Sequence, residues 1–339
     1  MNIQVPYKNQ ISGFLIVKDG IKTIKECLNA LAQIASEIVV VDTGSTDGTL
    51  EFLRSYPQEN FKIFTYKWHD DFATARNFAL KHCSCAWVFF VDADEILTPE
   101  GIACIKDLQE HDFYDKVAYW IENTEEFYYA PRLELFRTDL GLQFKGRVHE
   151  YLDGSELPQD KIGIVSTGIK HLKTVEEVHE RAIKYFNIAE QALKANELNT
   201  VRDFYFYGMS AQMAGKHDLA WAAFDIAIRM HKLRPAWLIS DVVNCYDSIA
   251  MYYQNNGKLQ QAIETWLTST ELFPRYDIFY FVAECCVQLY QYRNASYYLS
   301  RAKELMEIQK NPCEKFFVSK LLETKFIPEL EEKIKKEIV

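Results

Sequence analysis

The chain reads as an α/β domain on a mostly parallel sheet, followed by an all-α domain of helical hairpins. Three observations predict this. Two apolar runs, Ile38-Val39-Val40-Val41-Asp42 and Trp87-Val88-Phe89-Phe90-Val91-Asp92, are rich in β-branched and aromatic residues and stop on carboxylates. That is the look of a fully buried parallel strand with acidic groups at its carboxyl end. Strand-like and helix-like segments alternate from residue 11 to about 175, as in a sheet with helices on its faces. From 176 onward the periods are long and helical, with no strand-like run. The domains predicted are 1–175, 176–325 and a charged helix or tail over 326–339.

Taken in order, Ile11 to Val17 is the first strand. Lys22 to Ala35 is an amphipathic helix with Ile24, Cys27, Leu28 and Leu31 on one face. The second strand ends at Asp42, and Ser45 or Thr46 can cap a helix beginning near Asp47. Phe61 to Tyr66 alternates as a third strand. A helix from Phe72 follows, capped by Asp70 or Asp71, and then a strand ending at Asp92. Alternation along that strand puts Asp92 and Asp94 on one face. Carboxylates held so close repel, so a proton or a cation should sit between them. In the helix, Arg76 falls on the stripe shared by Phe72, Ala75, Ala79 and Leu80. A guanidinium turned inward needs an anionic partner: Asp42, Asp92 or a ligand's phosphates. A structural ion pair is the plainer alternative.

In the helical half, small residues recur at spacings of 7, 5 and 7. The sets are Gly208, Gly215, Ala220, Ala227, then Ala250, Gly257, Ala262, Ser269, then Ala283, Tyr290, Ala295, Ala302. Small residues at these offsets let the helices of a hairpin approach closely, and the step of 33 from Ala262 to Ala295 is similar to tetratricopeptide repeats. The first step, Ala220 to Ala262, is 42, which places an insertion around Leu233 to Asp241. A generic helical bundle is the alternative. Most of the aromatic residues here (Phe204 to Tyr207, Tyr252, Tyr253, Tyr297, Tyr298) must be inter-helix core.

Composition narrows the function classes. Net charge is −10, and no Lys/Arg cluster breaks it before the mixed segment Glu331 to Glu337, which excludes a nucleic-acid surface. No run approaches about 20 apolar residues, so no membrane span is expected. Met1 to Pro6 lacks the layout of a signal peptide, and the eight cysteines form no CxxC pair. Reduced thiols in a cytoplasmic protein are expected.

The strings Val41-Asp42-Thr43-Gly44-Ser45-Thr46-Asp47-Gly48-Thr49, Trp68 to Phe72, Ala75-Arg76-Asn77 and Asp92-Ala93-Asp94-Glu95 together resemble family 2 glycosyltransferases of the GT-A fold. Arg132-Leu-Glu-Leu-Phe136-Arg137 and Gly146-Arg147-Val148-His149-Glu150 resemble the later motifs of one branch, in which the catalytic domain is joined to tetratricopeptide repeats. That branch includes the sublancin-type peptide S-glycosyltransferases, which modify a cysteine of a bacteriocin precursor. The resemblance implies that Asp42 contacts the base of a UDP-sugar. It implies that Arg76 lies near base and diphosphate, that Asp92 approaches the ribose and that the backbone at Ile16-Val17 lines the nucleotide pocket. Asp94 would bind Mn²⁺ or Mg²⁺, completed by His171 or His149 as in some relatives. Glu150 would be the base of an inverting transfer. One departure is visible: where the branch has Lys-Asn-Glu, this chain has Lys18-Asp19-Gly20, and Asp19 would substitute in part.

Two functions of different class follow. One is an inverting, metal-dependent transferase moving a hexose, glucose foremost, from a nucleotide sugar to Cys, Ser or Thr of a peptide or protein. Its repeats would hold the acceptor or form a homodimer. The other is a repeat scaffold whose nucleotide-binding domain has lost turnover and serves assembly.

Overall fold

A computed structural model describes residues 7–57, 59–111, 116–123, 132–154, 156–172, 177–235, 239–308 and 322–338. The chain falls into two compact units, Met1–Glu125 with Ala130–Val178, and Glu126–Tyr129 with His179–Val339. No helix among the described residues is long and apolar enough to cross a membrane.

The first unit is built on strands β1 (Ile11–Val17), β2 (Glu37–Asp42), β3 (Phe61–Thr65), β4 (Trp87–Phe90), β5 (Glu95–Leu97), β6 (Ala118–Asn123), β7 (Arg132–Arg137) and β10 (Ile162–His171). They form one sheet in the order β3-β2-β1-β4-β7-β6-β10-β5. The four strands β3 to β4 are parallel, and antiparallel pairing enters at β7. A separate hairpin pairs β8 (Phe144–Lys145) with β9 (Tyr151–Leu152).

Strand alternation divides the core between two faces. Ile11, Leu15, Ile38, Val40, Trp87 and Phe89 pack with Ile24, Leu28 and Leu31 of helix α1 (Ile24–Leu31). Phe14, Val39, Val41, Val88 and Phe90 pack on the other side with Ala73 and Ala79 of helix α3 (Phe72–Leu80). Helices α2 (Thr49–Ser55) and α4 (Pro99–Glu110) complete the unit. Asp71 is the cap of α3, its carboxylate accepting from the Thr74 amide. The expected cap of α2 is not formed by Ser45 or Thr46. That helix starts at Thr49 behind a left-handed Gly48, and Asp47 accepts from Thr49 instead.

The last apolar run ends earlier than its composition suggests. Val91 still donates to the Phe14 carbonyl, but β4 stops at Phe90. The Asp92 carbonyl accepts from the Glu95 amide, while the Glu95 carboxylate accepts from the Asp92 amide. Asp92 and Asp94 therefore stand on a closed turn rather than on one face of a strand. On a flat sheet β5 would lie four strand spacings, about 19 Å, from β4. A tight four-residue turn cannot span that, so the sheet curls back around the Asp92–Asp94 turn. His171 lies on the interior strand β10, because β5 covers it.

The second unit holds α5 (Glu177–Lys194), the hairpins α6 (Val201–Met213)/α7 (His217–Leu233), α8 (Ile239–Asn255)/α9 (Leu259–Leu272) and α10 (Tyr276–Gln288)/α11 (Tyr292–Ile308), and α12 (Ile327–Ile338). The recurring small residues lie in the inter-helix contacts: a Cβ on Gly208 would meet Phe224 at 2.4 Å, and Ala227, Ala250, Ala262, Ser269, Ala283, Ala295 and Ala302 are fully buried. Gly215, Gly257 and Tyr290 all take a left-handed backbone at the hairpin turn. In each case the next amide bonds back five residues, from Lys216, Lys258 and Gln291. The described part of the insertion lengthens the two helices beside it. Relative to the next repeat, α7 runs on beyond Ala227 and α8 starts further ahead of Ala250. Residues 236–238 between them lie outside the described residues.

Candidate active site

The site residues gather where the parallel strands end. Val17, Asp42 and Thr65 are register partners across β1, β2 and β3. Strand β1 is flanked by β2 on one side and β4 on the other, so the chain switches direction of winding there, and the crevice outside the carboxyl ends is where such sheets bind ligands. The Val17 carbonyl accepts from both the amide and the hydroxyl of Thr43. Asp42 is buried. Its Oδ1 accepts from the amides of Gly44 (2.9 Å) and Ser45 (3.1 Å), whereas its Oδ2 is buried without a hydrogen-bond partner.

Two loops at this edge are stitched together. Asp19 accepts from the Thr46 amide at 2.7 Å and donates its own amide to Ser45 Oγ at 2.9 Å. Gly20 donates to Thr49 and Ile21 to Asp47. Asp19 thus holds the loop that carries Asp42.

Arg76 is only 5% exposed. Its Nη2 donates to Asp92 Oδ1 and its Nε to Glu150 Oε1, both at 2.5 Å. Phe90 and Phe144 lie under the guanidinium at 5.1 and 5.6 Å. Nη1 is buried and has no partner. Of the partners considered from sequence, Asp92 is the one in contact, and Glu150 is a second that sequence reasoning did not foresee. The two carboxylates hold the guanidinium charged against burial. Burial pushes the Glu150 carboxyl above its ordinary range, with Arg76 pulling the other way.

Glu150 is delivered by the β8–β9 hairpin. Gly146 and His149 both take left-handed backbone in its loop, a conformation glycine adopts freely and His more readily than most residues. The hairpin is tied to α3 in three places. The Asn77 side chain donates to the Phe144 carbonyl and accepts from the Phe144 amide, and the Phe72 amide donates to the Arg147 carbonyl.

On the other side of Asp92 lies a cluster that the motifs contained without revealing. Arg132 donates to both oxygens of the buried Glu95, at 2.6 and 2.7 Å, and reaches Asp92 Oδ2 at 3.4 Å. It also touches Glu134. Glu134 is the extra residue of a β-bulge, since Tyr119 pairs with Leu135 and Trp120 with Leu133. It is fully buried; its Oε1 is ion-paired to Arg132 and its Oε2 has no hydrogen-bond partner. A carboxylate between Leu133 and Leu135 in an apolar strand was the available signal.

Asp94 accepts the Leu172 amide through its carbonyl, and His171 is the register partner of Glu95. The backbone thus sets residues 94 and 171 side by side, although the His171 side chain lies outside the described part of the structure. Among the described residues, no group of three or more His, Cys, Asp or Glu converges to hold a metal by itself.

Residues 12–155 match the Glycosyl transferase family 2 profile. The chain is 33% identical over 214 residues to the SPbeta prophage-derived glycosyltransferase SunS of Bacillus subtilis (strain 168), covering 61% of this chain and 50% of that protein. It thus spans about half the length of this relative. It is 30% identical over 209 residues to the lipopolysaccharide core biosynthesis glycosyltransferase LpsC of Rhizobium meliloti (strain 1021), covering 58% of this chain and 71% of LpsC. Among solved structures, S. aureus TarS 1-349 in complex with UDP-GlcNAc aligns with a TM-score of 0.42 at 16% identity, over 88% of this chain and 92% of that one.

Proposed function

The chain belongs to glycosyl transferase family 2, and on that footing we propose that it is an inverting, metal-dependent transferase moving a hexose from a UDP-sugar to a peptide or protein side chain. The observation that carries the reading is the pair of buried polar atoms left without partners at one sheet edge, Asp42 Oδ2 and Arg76 Nη1. Buried polar groups are nearly always satisfied, so an acceptor and a charged donor left open there suit a polar, anionic ligand. Asp42 would take a hydrogen bond from the nucleotide base. Arg76 would reach toward the diphosphate, Asp92 toward the ribose, and the Val17 backbone would wall the pocket. The acceptor class and the choice of glucose rest on the branch that the motifs resemble.

Oxygen donors suit a hard divalent cation. Four carboxylates, Asp92, Glu95, Glu134 and Glu150, stand against the guanidiniums of Arg76 and Arg132. A diphosphate entering this surplus of negative charge needs a counter-ion. Asp94, with His171 beside it on the backbone, would hold Mn²⁺ or Mg²⁺, the remaining positions being filled by phosphate oxygens and water. When bound, the ion supplies Lewis-acid assistance to the leaving group. His149 would lie toward the acceptor.

Glu150 is the proposed base. Oε1 is engaged by Arg76, and the second oxygen would take the acceptor's proton as the nucleophile attacks the anomeric carbon from the side opposite the diphosphate. Its raised pKa strengthens it as a proton acceptor. A cysteine acceptor would lean on it least, since thiols ionise near pH ~8.5 unaided.

Incubation with UDP-glucose and Mn²⁺ should release UDP, and Asp94→Ala should lower that release by at least about 100-fold together with metal-dependent nucleotide binding. An absence of release from the wild type, with and without candidate acceptors, would return the chain to the scaffold reading.

A further inference from the structure

Three carboxylates meet one guanidinium beside the Asp92–Asp94 turn. Glu95 holds Arg132 through both oxygens, at 2.6 and 2.7 Å, and the same carboxylate accepts the Asp92 amide at 2.9 Å. Asp92 Oδ2 lies 3.4 Å from Nη1 of Arg132. Glu134 reaches only Nη2, the nitrogen that Glu95 already occupies, and only through Oε1. Its Oε2 is buried and without a partner. Glu95 thus has the hydrogen bonds that an ionised carboxylate requires, and Glu134 does not. Burying an ionised carboxyl with one oxygen bare costs far more than burying the neutral acid, so of the two it is Glu134 that keeps a proton. Burial lifts its carboxyl well above the ordinary range; Arg132 pulls the other way, while Glu95 and Asp92 lift it further.

We propose that Glu134 is an uncharged carboxylic acid in the folded chain and a positioning residue for the donor site. Its Oε1 accepts from Arg132 as a carbonyl does, without drawing the positive charge away from Glu95 and Asp92. Arg132 then steadies the turn that presents Asp92 and Asp94, with Glu95 closing it. An ionised Glu134 would compete for the shared nitrogen, draw the guanidinium toward its own strand and release Asp92, whose 3.4 Å contact is the longest of the set. The charged groups that act on Glu134 are Arg132 on its own strand, Glu95 on β5 and Asp92 on the turn. The proton removes one of the two negative charges by which Asp92, Glu95, Glu134 and Glu150 exceed Arg76 and Arg132. The other is left for the counter-ion of the donor. The effect on donor binding rests on the transferase reading; the protonation of Glu134 does not.

Two variants of the full chain test it. Glu134→Gln keeps a carbonyl oxygen for Arg132 and cannot ionise, whereas Glu134→Leu removes the oxygen. The infrared difference between wild type and Glu134→Gln at neutral pH should contain the carbonyl stretch of a protonated carboxylic acid. In urea unfolding from about pH 5 to 7, the unfolding constant of the wild type relative to Glu134→Gln should rise about tenfold per pH unit, because the folded chain holds a proton that the unfolded chain releases near pH ~4.3. Calorimetric binding of UDP with Mn²⁺ should weaken about 10-fold in Glu134→Leu and stay within about 2-fold of wild type in Glu134→Gln. A difference spectrum without that stretch, or a ratio flat with pH, means an ionised Glu134 and overturns the proposal. Glu134→Gln binding as weakly as Glu134→Leu overturns it too. A wild type that passes both protonation tests yet binds no UDP removes the donor reading, and the positioning role with it, while the buried acid stands.

Discussion

Arg76 in the first unit and Arg275 in the second are nearly matched, and the way they differ separates a site from a strut. Each guanidinium is 5% exposed and clasped by two carboxylates: Asp92 and Glu150 for Arg76, Asp247 and Asp277 for Arg275. Around Arg275 the hydrogen bonding is complete. Nε and Nη2 donate to Asp277 and Nη1 to Asp247, which also accepts from Ser269. Around Arg76 it is not, because Nη1 is left over, and Asp42 Oδ2 is left over in the same unit. Burial of charge alone marks neither function nor stability. Incomplete satisfaction of buried charge is the feature that distinguishes the two.

The largest effects should come from the arginines themselves. Arg76→Met and Arg275→Met each strand two carboxylates and should destabilise their unit by about 3–5 kcal/mol in urea unfolding. Only Arg76→Met should abolish UDP release per folded molecule; equal losses in both would break the comparison. Asp42→Asn keeps an oxygen for Gly44 and Ser45 but replaces the open carboxylate oxygen. It should leave Tm unchanged and raise the donor KM about 10-fold.

A third test uses acidity. Burial lifts Asp247 to about 6, so the folded chain holds a proton that the unfolded chain gives up near pH ~3.9. The stability this contributes is full below that lower value and is lost as pH rises through about 6, a span of about 3 kcal/mol. Asp247→Asn should flatten thermal stability across this window, read as Tm against pH. The smallest effect belongs to the turn of the last hairpin. Tyr290 takes the left-handed backbone that Gly215 and Gly257 take in the other repeats. Tyr290→Gly should stabilise the second unit by about 1 kcal/mol and leave UDP release untouched.

Elements specified by their own neighbours were legible in the sequence. Strands β1 and β2 and helix α1 follow from the period of their apolar residues, and the repeat turns follow from spacing alone. The features that were not legible depend on distant partners. The end of β4 is set by the Glu95 side chain closing a turn on Asp92, which an apolar run ending in Val91 does not announce. Ser45 and Thr46 look like helix caps but are spent on Asp19, more than twenty residues earlier. Likewise, Asp42 and Arg76 could be named from motifs. That Glu150 is Arg76's second partner, and that Glu134 sits on a bulge, depends on how β7 and the β8–β9 hairpin register against the rest.

The pair of hydrogen bonds between the Asn77 amide and the Phe144 backbone copies what a neighbouring strand would make. With the Phe72–Arg147 bond and the Arg76–Glu150 pair, it splices helix and hairpin into a single rigid jaw. Lifting the hairpin as a flap would rupture four polar links, at roughly 1 kcal/mol apiece and more for the ionic one. Under the proposed function, release of the nucleotide is therefore expected to leave this hairpin in place.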